Sequence, residues 1–250
     1  MKRISVNRET QDFMTGLSEA GTVAAAWDET VAFMRDLGAS HLHLSMDLDR
    51  ANPTLLWTTP AWTAEQYLET IHPYFDPTIP YCRERSASCF SGVAFLNRHA
   101  ATPAVFQDYL RDLAAAHWRS AVLFPVHGAF KGHWARFSVG TDRDADGMKS
   151  LYDQHGHAMQ VAGTLAFNRI RKLMRRERAE LVGLTETERV CLLGLASGLF
   201  KREIGDRLGI GTVIVTHHIE RARIKLNAKT ADHALVIALQ LDLIEPMEKT

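Results

Sequence analysis

The chain has 250 residues, 46% of them hydrophobic, and equal numbers of acidic and basic residues give a formal net charge of zero. This length predicts two domains, and the apolar content is sufficient for a core in each. The polar N-terminus is followed by no apolar stretch that could act as a signal peptide or membrane span, so we expect a cytoplasmic protein with no membrane partner.

The N-terminal part of the chain alternates between helical and strand patterns. Residues 41–48 alternate apolar and polar side chains, which is typical of a half-buried strand. Strands are predicted at 42–48, 54–58, 120–126 and 133–139, and helices at 10–17, 25–37, 64–71, 78–85 and 103–118. Strands with helices before, between and after them predict an α/β/α sandwich, and such a sheet can enclose a small apolar ligand against its helices.

A long helix is predicted from about Ala145 to the basic run 171–178. We place the domain boundary at this run, which divides the chain into a first domain at 1–170, a linker at 171–183 and a second domain at 184–250. The basic run is interpreted as a solvated helix end or as a linker whose cations lie close to DNA, and the two interpretations are compatible.

The last quarter of the chain predicts four helices. Thr185 and Glu188 have the spacing of a capping box, and Gly198 ends the helix that they begin. The remaining three helices are predicted at 201–208, at 212–226 with Thr212 as the N-cap, and at 231–243. The second and third are joined by a tight turn that contains glycine, and the third is polar and basic on its outer face. This arrangement describes a helix-turn-helix in an all-α, four-helix domain.

The outer face of the third helix is the predicted DNA-binding surface. Thr216, His217 and Glu220 are assigned to base edges, and Glu220 can accept from a cytosine amine. The predicted set also contains Thr212 at the start of the third helix. Four basic residues are assigned to phosphates: Lys201, Arg221, Arg223 and Lys225. Residues 184–229 contain eight basic and five acidic side chains. This modest surplus predicts that a homodimer binds two half-sites on double-stranded DNA.

These residues resemble the C-terminal GerE-type helix-turn-helix of the LuxR family of bacterial transcription regulators. The match extends without a gap and includes Leu184, Thr185, Glu188, Leu192, Ala196, Gly198, Glu203, Ile204, Leu208, Ile210, Val215, His218, Lys225, Leu226, Ala234 and Ala238. Departures from the family pattern occur at Phe200, Gly205, Gly211, Ile214 and Ala231. The resemblance implies a DNA-binding regulator of transcription.

A stretch in the first domain resembles the autoinducer-binding domain that precedes this helix-turn-helix in the LuxR family. Trp62, Tyr67 and Asp76, with Pro77 after it, carry the resemblance. It implies that Asp76 accepts the amide N–H of an acyl-homoserine lactone and that Trp62 donates its indole N–H to the lactone carbonyl. With Phe90 and Trp118 as aromatic residues able to line the pocket, the full predicted ligand-binding set is Thr59, Trp62, Tyr67, Asp76, Phe90, Trp118 and Ala121. The family's second Tyr, second Trp and Gly are replaced by Thr59, Ser91 and Ala121, which leaves the ligand's identity open.

Two functions remain open from the sequence. The first is a quorum-sensing transcription regulator, of α+β fold class, controlled by a small signal such as an acyl-homoserine lactone. The alternative is an orphan DNA-binding regulator, without ligand or with a different one, whose first domain serves dimerisation or protein interaction. No phosphate-binding loop, nucleophile elbow or metal-ligand spacing is found, so we expect no enzymatic activity, no metal and no cofactor besides the possible signal.

Overall fold

The computed structural model describes residues 8–46, 54–72, 74–99, 102–127, 134–241 and 243–244. The chain divides into two compact units between Ile170 and Arg171. The end of a predicted strand at 47–48, His133 at the start of another, and residue 242 in the last predicted helix lie outside the described residues.

The first unit is built on a five-stranded antiparallel sheet. Its strands are β1 (His41–Met46), β2 (Thr54–Trp57), β3 (Cys89–Ser91), β4 (Ser120–His127) and β5 (Trp134–Thr141), in the order β2-β1-β5-β4-β3. β4 and β5 pair along their whole lengths and are almost entirely buried. Because successive side chains of a strand point to opposite faces, each strand supplies one residue set to each side of the sheet.

Helices cover both faces of this sheet. They are α1 (Arg8–Glu19), α2 (Val23–Asp36), α3 (Ala61–Gln66), α4 (Thr78–Glu84), α5 (Ala104–Ala115) and α6 (Ala145–Val182). Tyr152 of α6 contacts Phe90 and Phe124 on one face. On the opposite face, α5 and the residues Tyr67 and Ile71, which follow α3, pack around Trp118 and Leu123. The predicted α/β/α sandwich is therefore confirmed.

Two short elements of the first unit, the strand β3 and a 3-10 segment after it, were not predicted from the sequence, and the end of the helix predicted at 64–71 takes a π-helical form. A π-helical turn, Tyr67–Ile71, continues α3, and a 3-10 segment, Val93–His99, follows β3. β3 itself has only three residues at the sheet edge, too few for a pattern of alternation to show.

Residues 171–182, most of the predicted linker, form the end of α6.

The second unit contains α7 (Glu186–Ala196), α8 (Lys201–Leu208), α9 (Thr212–Lys225) and α10 (Ala231–Gln240), which confirms the four-helix prediction. The capping box is formed: Thr185 Oγ1 accepts from the Glu188 N–H at 3.3 Å, and Glu188 Oε2 accepts from the Thr185 N–H at 2.8 Å. The N-cap of α9 is Gly211, so the prediction of Thr212 as N-cap was wrong by one residue.

Candidate ligand cavity and DNA-binding surface

A cavity lies between the sheet and the α3–α5 side of the first unit. It holds about 580 Å³ of space free of protein atoms, part of which opens to solvent. Its apolar wall includes Leu55, Leu56, Trp57, Ala64, Phe106, Tyr109, Leu110, Leu113, Trp118, Ala121 and Leu123. Its polar groups come from His43, Ser45, Tyr67, Asp76, Thr78, Ser91, Arg136 and Ser138. An apolar cavity with a few grouped polar side chains is the usual form of a small-molecule site.

Asp76 is the centre of the polar end of the cavity. Its carboxylate accepts hydrogen bonds from the Tyr67 hydroxyl at 2.8 Å and from the Thr78 N–H and hydroxyl at 2.8 and 2.7 Å. Arg136 Nη1 donates to the same carboxylate, and Arg136 Nη2 lies 3.1 Å from the Tyr67 hydroxyl oxygen. The four side chains thus form one buried network.

This network keeps its charges at neutral pH. Burial alone would raise the pKa of Asp76, but the Arg136 guanidinium and the hydrogen bonds from Thr78 outweigh burial and leave that pKa lowered. Burial lowers the pKa of Arg136, but the charge of Asp76, the neighbouring Tyr67 and Cys82, and the hydrogen bond to Asp76 together outweigh burial and leave that pKa raised. Burial also raises the pKa of the Tyr67 phenol well above its ordinary value. Asp76 and Arg136 are therefore an ion pair, and Tyr67 keeps its proton.

A chain of hydroxyl groups lies behind His43. Thr63 donates to the Pro60 carbonyl at 2.8 Å, so its contact of 2.7 Å with Thr59 requires Thr59 to be the donor. Thr59 Oγ1 is then left to accept from His43 Nε2, 2.7 Å away, which assigns the proton of the neutral ring to Nε2. Burial, followed by the charge of Arg136, lowers the pKa of His43 to about 3.

The structure brings four of the seven predicted ligand residues to the cavity: Tyr67, Asp76, Trp118 and Ala121. It does not bring the other three there. The Thr59 hydroxyl is committed to His43 and Thr63. Trp62 is 42% exposed on α3, and Phe90 lies on the opposite face of the sheet against Phe95 and Tyr152.

Arg136, Ser138 and Trp57 line the cavity but were missed in the sequence. A signal for Arg136 was present, because a lone cation in the apolar alternation of β5 needs a buried anion as partner. Ser138 follows it at the next position on the same face. Trp57 carried no comparable signal, because an aromatic residue at a strand end is most often plain core.

The outer face of α9 presents the residues predicted to read DNA. Thr212, Thr216 and His217 are exposed, and the Thr216 hydroxyl donates back to the Thr212 carbonyl at 3.0 Å. Glu220, predicted to read a base, pairs with Arg223 at 2.6 Å, and Arg223 also donates to the Ala228 carbonyl. These two side chains are therefore engaged with each other in the absence of DNA.

Glu188 engages two more of the predicted phosphate contacts. Its buried carboxylate lies 2.6 Å from Lys225 Nζ and 3.4 Å from Arg221 Nε. Burial would raise the pKa of Glu188, but the hydrogen bonds from Lys225 and Thr185 leave it lowered. Glu188, the glutamate of the α7 capping box, thus also holds the C-terminal half of α9. Lys201, at the start of α8, is exposed.

Both units match known protein families. The family described as autoinducer binding domain matches residues 22–170, more than half of the chain, and the family of bacterial regulatory proteins, luxR family, matches residues 182–238. The chain belongs to the LuxR family. LuxR-type proteins are transcription regulators rather than enzymes, and they bind DNA through the C-terminal domain and autoinducers through the N-terminal domain.

Relatives of this LuxR-family chain cover nearly its whole length. Transcriptional activator protein BjaR1 of Bradyrhizobium diazoefficiens is 24% identical over 98% of this chain and 100% of the relative. SdiA of Escherichia coli has a TM-score of 0.56 at 14% identity, over 94% of this chain and 98% of the other. SdiA in complex with octanoyl-rac-glycerol has a TM-score of 0.58 at 14% identity, over 99% of this chain and 100% of the other.

A third solved structure matches two thirds of the chain. The N-acylhomoserine lactone-dependent LuxR family transcription factor CepR2 of Burkholderia cenocepacia has a TM-score of 0.54 at 17% identity, over 68% of this chain and 96% of the other. These solved structures show the same fold. In the part of the LuxR-family chain that the structure describes, no helix has the length and hydropathy needed to cross a membrane.

Proposed function

We propose that this LuxR-family protein is a cytoplasmic transcription regulator whose cavity binds a small neutral acyl signal, with an acyl-homoserine lactone as the first candidate. The supporting observation is the cavity itself, in which an apolar wall leads to the polar group around Asp76. An acyl chain fits that wall, and an amide-lactone head supplies polar atoms for the other end. Binding stabilises the sensor unit by mass action and thereby sets DNA occupancy.

The second unit acts as a homodimer on double-stranded DNA. One copy has only a modest basic surplus, which supports the use of two copies on two half-sites. Val236 and Leu239 are exposed three residues apart on α10, an apolar strip that a second copy covers. Light scattering tests this proposal: Val236→Glu is expected to give a monomer, and a wild-type chain that is monomeric both free and on DNA contradicts it.

Thermal unfolding with a panel of acyl-homoserine lactones tests the ligand. We expect one or more lactones to raise the melting temperature, and mass spectrometry should detect a small acyl compound that copurifies. Ala121→Leu should abolish the shift because it fills the cavity, whereas Ala115→Leu, at an exposed position of α5, should keep it. The assignment fails if no lactone changes the melting temperature and nothing copurifies.

A second candidate is a regulator with a different ligand or none. It is favoured by Thr59, whose hydroxyl is already bound within the protein, and by the exposed indole of Trp62. SdiA is described with octanoyl-rac-glycerol, an ester without an amide N–H. Acyl glycerols therefore belong in the same thermal screen, and a shift with these alone would favour the second candidate.

A further inference from the structure

Four donors of the protein itself occupy the Asp76 carboxylate. Oδ1 accepts from the N–H and hydroxyl of Thr78, and Oδ2 accepts from the Tyr67 hydroxyl and from Arg136 Nη1. An ionised carboxylate offers about four acceptor sites. The buried carboxylate is thus satisfied before any ligand enters, and a ligand N–H would have to displace one of these donors.

In contrast to the satisfied carboxylate, two donor groups at the polar end of the cavity are unsatisfied. Arg136 Nε and Ser138 Oγ are buried and have no hydrogen-bond partner among the described residues. Arg136 and Ser138 are alternate residues of β5, so they lie on the same face of the sheet, and both line the cavity. Buried polar atoms without partners are unfavourable, and a ligand that brings acceptor oxygens can satisfy them.

The charge balance at this end decides between a neutral and an anionic ligand. Asp76 and Arg136 compensate each other, and the neighbouring His43 ring is neutral. A ligand carboxylate would leave one buried negative charge without a partner, which is strongly unfavourable. Ester, lactone or amide carbonyl oxygens bring acceptors without that charge.

We propose that Arg136 takes the place of a ligand's N–H as the donor to Asp76, so that the sensor unit completes its polar core without ligand. The ligand is then a neutral acyl compound that Arg136 and Ser138 recognise through its carbonyl oxygens, and Asp76 does not read its amide N–H. Arg136 is in this sense the specificity-determining residue. The recognition of carbonyl oxygens rests on the proposed function, whereas the role of Arg136 in ligand-free folding does not.

The first experiment needs no ligand. Thermal unfolding of the full chain is measured for Arg136→Met, Asp76→Asn, the double variant, and Arg119→Met as an exposed control. We expect Arg136→Met to lower the melting temperature by about 5 to 10 °C, because it leaves a buried carboxylate short of a partner. The double variant should melt higher than Arg136→Met alone, and the control within about 1 °C of wild type.

The ligand-free role of Arg136 is overturned if Arg136→Met has the same melting temperature as Arg119→Met. It is also overturned if the losses of melting temperature from Arg136→Met and Asp76→Asn simply add in the double variant. If Arg136→Met is insoluble, Arg136→Gln replaces it in the same cycle, because glutamine keeps a donor without the charge. A wild-type chain that yields soluble protein only when a lactone is present would also contradict it.

The second experiment compares N-hexanoyl homoserine lactone with α-hexanoyloxy-γ-butyrolactone, in which an ester oxygen replaces the amide N–H. Wild type should bind the two within about threefold, since Asp76 has no need of the N–H. Arg136→Met should prefer the amide by about tenfold or more, because its carboxylate has regained a free acceptor site. If wild type prefers the amide by tenfold, the proposal that Arg136, and not the ligand's N–H, is the donor to Asp76 is overturned. If wild type binds neither compound, the lactone function and the carbonyl recognition both fail, and the ligand-free cycle alone decides the role of Arg136.

Discussion

At the scale of single residues, His43 shows how the cavity wall controls protonation. Its Nε2–H donates to Thr59, and its ring lies 4.3 Å, centroid to centroid, from Trp118. Burial and the nearby Arg136 lower its pKa to about 3, so the folded protein holds the ring neutral over most of the acidic range. A protonated ring would place a second cation beside Arg136.

The lowered pKa of His43 makes the free energy of unfolding depend on pH in one direction. The folded pKa of His43 lies below its ordinary value, so between about pH 6.5 and 3 the unfolded chain binds more protons than the folded one. The contribution of His43 to stability is present above this range and is lost as pH falls. We expect on the order of 1 kcal/mol less unfolding free energy at pH 5 than at pH 7, since the ring is only partly buried.

Urea unfolding at several pH values measures this loss. His43→Gln should flatten the dependence between pH 7 and 5, because glutamine keeps a donor to Thr59 but does not titrate. A His155→Gln variant, at a half-buried position of α6, is measured alongside as a second histidine substitution. Identical slopes for wild type and His43→Gln would show that His43 does not carry the effect.

The resemblance to the autoinducer-binding domain located Tyr67 and Asp76, nine residues apart, and the structure places them in a direct hydrogen bond. Arg136 could not be found in that way, because it lies 60 residues from Asp76 in sequence. Only the antiparallel pairing of the sheet brings β5 to the same end of the cavity. The resemblance of one stretch of chain therefore predicted only the half of the network that this stretch supplies.

At the scale of elements, the geometry of the helix explains why Trp62 and Tyr67 do not act together. Five residues advance an α-helix by about 140° around its axis, so the two rings lie on nearly opposite sides. The π-helical turn that starts at Tyr67 closes with a bond of 2.8 Å from the His72 N–H to the Tyr67 carbonyl. Tyr67 is buried in the cavity wall, and Trp62 faces outward.

A pair of aromatic substitutions tests this difference. Trp62→Phe should leave the melting temperature and any ligand-induced shift nearly unchanged. Tyr67→Phe removes the hydroxyl that donates to Asp76 and should cost about 1 to 2 kcal/mol of unfolding free energy. Thermal unfolding with and without ligand separates the two, and a larger effect from Trp62→Phe would contradict the orientation found for α3.

The turn between α8 and α9 requires a residue without a side chain at Gly205. A Cβ there would lie 2.6 Å from the Ile210 carbonyl oxygen, although the family pattern has alanine at this position. We expect Gly205→Ala to lower the unfolding free energy by about 1 to 3 kcal/mol through overpacking. Chemical denaturation measures the change.

Gly211 provides the matched control for that substitution. A Cβ there meets no atom within 4 Å, and its backbone has the extended conformation of an N-cap. Gly211→Ser should therefore be neutral or stabilise by a few tenths of a kcal/mol. Equal losses for the two variants would mean that the close approach at Gly205 does not limit the turn.

Sequence patterns predicted the elements that have clear start and stop signals. The capping box at Thr185 and the left-handed Gly209 mark α7 and α8 in both sequence and structure. Where Gly211 replaces the usual capping residue, the sequence pointed instead to Thr212. At Phe200, whose side chain cannot cap, the Glu203 carboxylate accepts from the Phe200 N–H at 2.7 Å. The N-caps of α8 and α9 are therefore residues without a capping side chain, and residue type alone did not identify them.

At the scale of the whole molecule, the zero net charge of the chain conceals an unequal availability of its cations. Between positions 184 and 229, ion pairs join Arg189 to Glu186, Arg223 to Glu220, and both Arg221 and Lys225 to Glu188. The other basic residues between positions 184 and 229 are Lys201, Arg202, Arg207 and Lys229, and no carboxylate partner for these is found among the described residues. A count of basic residues alone therefore overstates the charge ready for phosphate.

Counterion release makes this distinction measurable. The logarithm of DNA affinity falls with the logarithm of salt concentration with a slope of about −0.9 for each phosphate neutralised. If only the four residues without a carboxylate partner contact phosphate, one copy should give a slope of roughly −4, and a dimer roughly twice that. Fluorescence anisotropy on non-specific duplex DNA at several salt concentrations measures it, and a slope near −14 for a dimer would mean that the ion pairs open.

Glu188 then acts as a built-in competitor of DNA for the cations of α9. Glu188→Gln is expected to steepen the slope by up to about two units per copy, because Arg221 and Lys225 lose their carboxylate. An unchanged slope would show that these two side chains do not reach phosphate. By holding two cations back from the polyanion, the capping carboxylate weakens attachment to arbitrary sequence and lets the regulator leave wrong sites sooner.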